Sequence, residues 1–137
     1  MAETRAADLN HRKLWLALGW LLVGTVIYLS LTPRLPPEAL RFFSADKLGH
    51  LSAYAILMAW FCQLFWHMNE RLKLGVAFAA MGIALEFVQG LLGYRYFDYA
   101  DMLANVLGVV AGWMLIKTRF RYSLSWLDRY ISAIGVR

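Results

Sequence analysis

A small set of polar and ionisable side chains sits where apolar sequence surrounds it. Asp46, Lys47 and His50 open one apolar stretch, and Tyr54 follows a helical turn later. Glu86 and Gln89 lie near the end of the next stretch. Arg95 occupies the short connector after it, and Asp98, Asp101 and Asn105 open the stretch beyond. Glu86 is the most exacting of these, because Ala84, Leu85, Phe87 and Val88 flank it. An ionisable residue inside a membrane span costs about 2.5–3.5 kcal/mol on insertion scales, so it needs a partner, a proton or a task. A carboxylate and an imidazole can act as an acid–base pair, because burial moves carboxylates toward neutral titration. Lysine and arginine can hold a phosphate or carboxylate head group. His50, Glu86, Asp98 and Asp101 together offer one nitrogen and several oxygens, a donor set for Mg²⁺, Mn²⁺ or Ca²⁺ rather than structural zinc. No tight ligand motif such as HExxH is present. No metal ligand and no resident cofactor is therefore expected, with a divalent cation as the minority alternative.

Spacing groups these residues by face. On a helix, positions three and four apart are neighbours. Asp46 and Lys47 precede His50 by four and three residues, and Tyr54 follows it by four. Glu86 and Gln89 are three apart, and Asp98, Asp101, Asn105 and Gly108 step by 3, 4 and 3. Plainer roles compete at each position. Asp46 and either Asp98 or Asp101 can cap a helix. His50 can be a neutral cross-helix hydrogen-bonding group, and Lys47 and Arg95 can snorkel. The whole set can be an ion-pair network that fixes helix register.

The elements that must position these groups follow from composition. The chain has 137 residues, is 61% hydrophobic and only 17% charged, and has mean hydropathy +0.50. A soluble domain is about 45–50% apolar and about 25% charged. A chain this short cannot hide so much apolar surface from water. Disorder is excluded, and a soluble single-domain enzyme is disfavoured. The single cysteine, Cys62, excludes an intrachain disulfide and multi-cysteine metal centres. Four apolar stretches, at 14–31, 48–66, 74–93 and 99–116, approach the roughly 20 residues that cross a bilayer. The predicted fold is all-α, a small polytopic membrane protein. It comprises a bundle of four transmembrane helices and an interfacial amphipathic C-terminal helix. The organisation is a cytoplasmic N-terminal segment at 1–13, the four-helix domain at 14–116 and a cytoplasmic amphipathic tail at 117–137. Leu31-Thr32-Pro33-Arg34 is no small-residue cleavage site, so the first stretch reads as an uncleaved span.

Ten basic residues fall in the N-terminal segment, the connector holding Arg71 and Lys73, and the tail, against four in the other two connectors. The positive-inside rule then puts both termini in the cytoplasm and 33–47 and 94–98 outside. In that orientation all the unusual polar groups share the outer end. A stripe of Gly75, Ala79, Gly82, Glu86, Gln89 and Gly93, and the pair Gly108 and Gly112, let helices approach closely. The polar faces should therefore line an outward-facing pocket of His50, Glu86, Arg95, Asp101 and Asn105. His67 and Glu70 read as a turn and Cys62 as a small buried hydrophobe. In the tail, Phe120, Leu124, Leu127, Ile131 and Ile134 form an apolar stripe, with Arg121, Ser125, Asp128, Arg129 and Ser132 opposite.

The segments Asp46-Lys47-Leu48-Gly49-His50 with Tyr54, Glu86-Phe87-Val88-Gln89, and Arg95-x-x-Asp98-x-x-Asp101-x-x-x-Asn105-x-x-Gly108 resemble the VanZ-like family. The match spans residues 46–108. The resemblance implies a membrane protein of the cell envelope, similar to proteins linked to resistance to the antibiotic teicoplanin, a lipoglycopeptide. It carries over no reaction, so enzymatic activity is left open. Three functions are expected in turn. The first is binding of an amphiphile or lipid-linked head group, with Asp46, Lys47, Tyr54, Gln89, Arg95, Asp98, Asp101 and Asn105 as ligand-binding residues. The second is a small membrane enzyme using Glu86 and His50 as acid and base. The third is a structural ion-pair network within a larger membrane complex. The expected partners are membrane lipids or an amphiphilic ligand and no nucleic acid, with a homodimer or larger complex open. The expected location is a bacterial cytoplasmic membrane.

Overall fold

The computed structural model describes residues 9–32, 45–93 and 97–135. Expectations that fall on 1–8, 33–44, 94–96 and 136–137, Arg95 among them, lie outside the described residues, as does the side chain of Asp46. The described residues form five α-helices: α1 (Arg12–Leu31), α2 (Ala45–Leu64), α3 (Met68–Leu91), α4 (Tyr99–Leu115) and α5 (Ser123–Ile134). A 3-10 turn, Arg119–Tyr122, joins the last two. No strand occurs among them, so the all-α class holds.

The helices overrun the apolar stretches that announced them. α3 begins at Met68, with His67 as its N-cap, so Glu70, Arg71 and Lys73 belong to a helix and not to a turn or connector. Glutamate, arginine and lysine are good helix formers, so propagation does not stop where apolarity does. Arg71 also has work there. Its guanidinium donates to the carbonyls of Cys62 (2.7 Å) and Phe65 (2.8 Å) and satisfies the end of α2.

The expectation of four spans is only partly met. α1 and α3 are long and apolar enough to cross a membrane, and α4 with the tail passes only as a pair bent by 75°, giving two to three candidate spans. The reason lies in what surrounds α2 and in how short α4 is. α2 carries His50, Ser52 and Gln63, yet Tyr54, Leu57, Met58, Ala59, Phe61, Cys62 and Leu64 are buried along it. A helix sheathed by its neighbours needs no continuous lipid-facing surface. α4 has 17 residues, about 25 Å of helix. The apolar exterior is supplied by residues such as Leu21 and Tyr28 on α1, Val76 and Phe87 on α3, and Leu103 and Val110 on α4.

α2 and α4 are pressed together. A Cβ added at Gly108 would collide with the Leu51 carbonyl oxygen, and one at Gly112 with that of Ala55. Across the α3–α4 seam, Gly82 abuts the Asn105 side chain at 2.8 Å from where its own Cβ would stand. These glycines are the mechanism by which polar side chains on three helices reach one another.

The tail overturns one expectation. Asp128, assigned to the solvent side, is 1% exposed. It accepts hydrogen bonds from the Trp15 indole (2.7 Å), the backbone N–H groups of Asn10 (2.7 Å) and His11 (3.0 Å), and His11 Nδ1 (3.1 Å). Burial pushes its carboxyl up, but these donors outweigh burial and hold it below the usual carboxylate range. Leu124 packs beside it with Leu9, Trp15 and Leu64. Gln63 Oε1 accepts from Leu124 N (2.9 Å) and Ser123 Oγ (3.0 Å) and fixes the start of α5. The predicted apolar stripe is therefore divided. Leu124 packs against the bundle, whereas Phe120, Leu127 and Ile134 are exposed beside the stacked pair Trp126 and Tyr130.

Candidate functional site

The site forms at the end of the bundle where α1 and α3 finish and α2 and α4 begin. α4 is capped by Asp98, whose side chain accepts from Ala100 N at 2.8 Å. Asp98, and not Asp101, is thus the cap. Its second oxygen accepts from Lys47 Nζ at 2.7 Å. The Lys47 hydrogen bond and then the Ala100 N–H hold the Asp98 carboxyl below its ordinary range. Lys47 also lies 3.7 Å from Asp101 Oδ1, so it bridges the mouth of the site and does not simply snorkel.

One turn inward, three helices converge. His50 on α2, Glu86 on α3 and Asp101 and Asn105 on α4 are all buried. His50 Nδ1 lies 2.9 Å from Asn105 Oδ1. An amide oxygen only accepts, so the ring donates from Nδ1. His50 Nε2 then stands 3.7 Å from Glu86 Oε1 and 3.9 Å from Asp101 Oδ2. Both distances are longer than hydrogen bonds and are ion pairs only when the ring is protonated. Glu86 and His50 are thus brought face to face from α3 and α2.

Two expected members stand apart from this cluster. Gln89 is buried, but its amide donates to the Ser30 carbonyl at 2.5 Å and so ties α3 to α1. Tyr54 is 2% exposed, and its hydroxyl has no hydrogen-bond partner among the described residues.

The pocket differs from the expectation. A cleft of about 180 Å³ opens between α1 and α2, lined by Val26, Leu29, Ser30, Gly49, His50, Ala53 and Tyr54. Of the five residues expected to line an open pocket, His50 lines this cleft. Glu86 (2% exposed), Asp101 (4%) and Asn105 (1%) belong to the buried cluster instead, and Arg95 lies outside the described residues. The carboxylates are buried because Gly82, Gly108 and Gly112 bring the helices too close to leave a channel among them. The cleft's α1 wall had no signal in sequence, since Val26 and Leu29 carry no chemistry and Ser30 contributes a backbone carbonyl. Asp128 did have one. It lies four residues after Leu124 and three before Ile131, on the same face.

The arrangement can hold positive charge. An imidazole nitrogen and two carboxylates stand together in buried positions, with a lysine at the mouth and an apolar cleft to one side.

Comparison with known proteins gives one curated relative and one family. An uncharacterised protein of Schizosaccharomyces pombe, C11E3.10, is 33% identical over 100 residues, which are 71% of this chain. The chain spans about 59% of that relative's length. No solved structure matches. The family model described as VanZ/LLP1 matches residues 10–121, which include α1 to α4 and every site residue named above. This α-helical membrane protein, with its buried His50–Glu86–Asp101–Asn105 cluster, belongs to the VanZ/LLP1 family.

Proposed function

We propose that this protein binds an amphiphile at the end of its bundle, the polar head beside His50 and Tyr54 and the tail along Val26, Leu29 and Ala53. The observation that carries this reading is the cleft itself, which has an apolar wall on α1 and meets a buried ionisable cluster at His50. A ligand site of this kind combines much apolar lining with few placed polar groups. The resemblance to proteins linked to teicoplanin resistance supports the same class of ligand, since teicoplanin carries a fatty tail. The reading takes α2 and α4 as membrane-crossing alongside α1 and α3. The site then faces the outside of a bacterial cytoplasmic membrane and both termini lie in the cytoplasm, as the asymmetry of basic residues favours.

The test uses Gly49, which is exposed, lines the cleft and has nothing within 4 Å of an added Cβ. Gly49→Trp puts a large side chain at the cleft and leaves every residue of the cluster unchanged. Native mass spectrometry of the purified wild type should show a retained amphiphile, and the variant should lose it with its melting temperature unchanged or raised. Equal retention in the two proteins, or none in the wild type, overturns the proposal.

A second reading draws on the 3.7 Å approach of His50 Nε2 to Glu86 Oε1. The pair has the composition of an acid–base couple for a lipid head group or a lipid-linked glycan. Turnover of a labelled lipid-linked precursor by the wild type, lost in Glu86→Gln, selects it over binding alone.

A further inference from the structure

We infer that His50, Glu86 and Asp101 form a binding site for a divalent transition-metal ion, of which Mn²⁺ and Zn²⁺ are the probes. One ligand atom from each residue lies within 4.8 Å of the other two. Tetrahedral donors about 2.0–2.2 Å from a metal lie roughly 3.3–3.6 Å apart. The separations of His50 from Glu86 and Asp101, 3.7 and 3.9 Å, exceed this by a few tenths of an ångström, and the two carboxylates lie within 4.8 Å of one another. Imidazole favours transition metals and carboxylates favour harder ions, so the mixed set suits ions between those extremes.

The histidine is also set for the task. Its Nδ1–H donates to Asn105 Oδ1 at 2.9 Å, which turns the Nε2 lone pair toward both carboxylates in the neutral ring. Metal-bound histidines are held by an outer hydrogen bond of this type. A second observation points the same way. Tyr54 is 2% exposed, its hydroxyl has no hydrogen-bond partner among the described residues, and it lies one turn from His50 on α2. A metal-bound water or the ligand of the metal would supply that partner.

Charge supports a cation over an anion. Among the described residues this end of the bundle carries three carboxylates, at 86, 98 and 101, against one permanent cation, Lys47. A pocket of that balance repels a bare anionic head group, and a divalent cation reverses the balance at its centre. His50 belongs to both the cluster and the cleft wall, so a bound ion is reachable from the cleft. The site stands whether or not an amphiphile fills the cleft.

The experiment uses the full chain in detergent, stripped with a chelator and titrated with Mn²⁺ or Zn²⁺. One equivalent should bind and raise the melting temperature. Pulsed electron paramagnetic resonance of the Mn²⁺ form should show coupling to an imidazole nitrogen. Glu86→Gln and Asp101→Asn should each weaken affinity at least about tenfold, Asn105→Ala should do so about 10–100-fold as an orienting residue, and His50→Ala should remove the nitrogen coupling. His67→Ala, at an exposed histidine, should change nothing. A wild type that binds neither ion stoichiometrically, or whose nitrogen coupling survives in His50→Ala, overturns the inference even if no variant folds. Amphiphile retention measured on the same stripped sample separates a failure here from a failure of the proposed function.

Discussion

At the scale of single residues, two buried carboxylates at opposite ends of the molecule teach different things. Glu86 advertised itself, because a charge inside an otherwise apolar run has no cheap explanation. Asp128 hid, because an acid on an amphipathic tail has an obvious one in solvent. Its burial makes it the more measurable of the two. Asp128→Ala leaves the Trp15 indole N–H and the N–H groups of Asn10 and His11 without their acceptor. An unsatisfied buried donor costs about 1–3 kcal/mol, and water can reach part of this cluster, so a net loss of about 2–4 kcal/mol is expected. Thermal unfolding in detergent measures it. The pH dependence has a definite sign. The folded carboxyl titrates below its ordinary value. Its contribution is therefore complete above about pH 4 and is lost as pH falls through the folded value. Asp128→Asn should flatten that acid limb. An unchanged acid limb would mean that Asp128 does not titrate with folding.

At the scale of elements, the helices were legible and their packing only partly so. The apolar runs located α1, α2 and α4 to within three residues, and the early start of α3 was missed because Glu70, Arg71 and Lys73 looked like connector chemistry. The polar faces were legible as well, since a period of three and four survives any error in the ends. Which helix is sheathed by the others was not. That depends on where small residues admit a neighbour's backbone, and only the three-dimensional fit shows that Gly108 and Gly112 meet the carbonyls of Leu51 and Ala55. A backbone oxygen cannot step aside as a flexible side chain can. Gly112→Ala and Gly108→Ala should therefore each destabilise by about 1–3 kcal/mol, the range for overpacking a core. Gly24→Ala, where an added Cβ has nothing within 4 Å, should be neutral or stabilising by up to about 1 kcal/mol from helix propensity alone. Melting temperatures of the three variants decide it, and equal behaviour would mean that the α2–α4 seam is looser than described.

At the scale of the whole molecule, the chain has two differently built ends. One gathers His50, Glu86, Asp98, Asp101 and Asn105 with Lys47 over them. The other gathers Trp15, Gln63, Arg71 and Asp128 around the start of α5, and these groups chiefly satisfy one another and the ends of helices. The first end was readable from sequence because opposite-running spans bring polar groups to a common depth. The second was not, because the bonds to Asp128 at its centre join residues more than a hundred positions apart. The bilayer must separate these ends if α1 and α3 both cross it. The asymmetry of basic residues, ten against four, is the basis of the proposal that the α5 end lies inside. Single cysteines test this, with Cys62 left in place because it is fully buried. Tyr99→Cys, at an exposed position beside the Asp98 cap, should react with an impermeant thiol reagent in intact cells. Glu70→Cys and Lys117→Cys, exposed at the other end, should react only after permeabilisation. The reverse pattern inverts the molecule and turns the site toward the cytoplasm. Reaction of all three in intact cells would mean that α1 and α3 do not hold the two ends on opposite sides of a membrane.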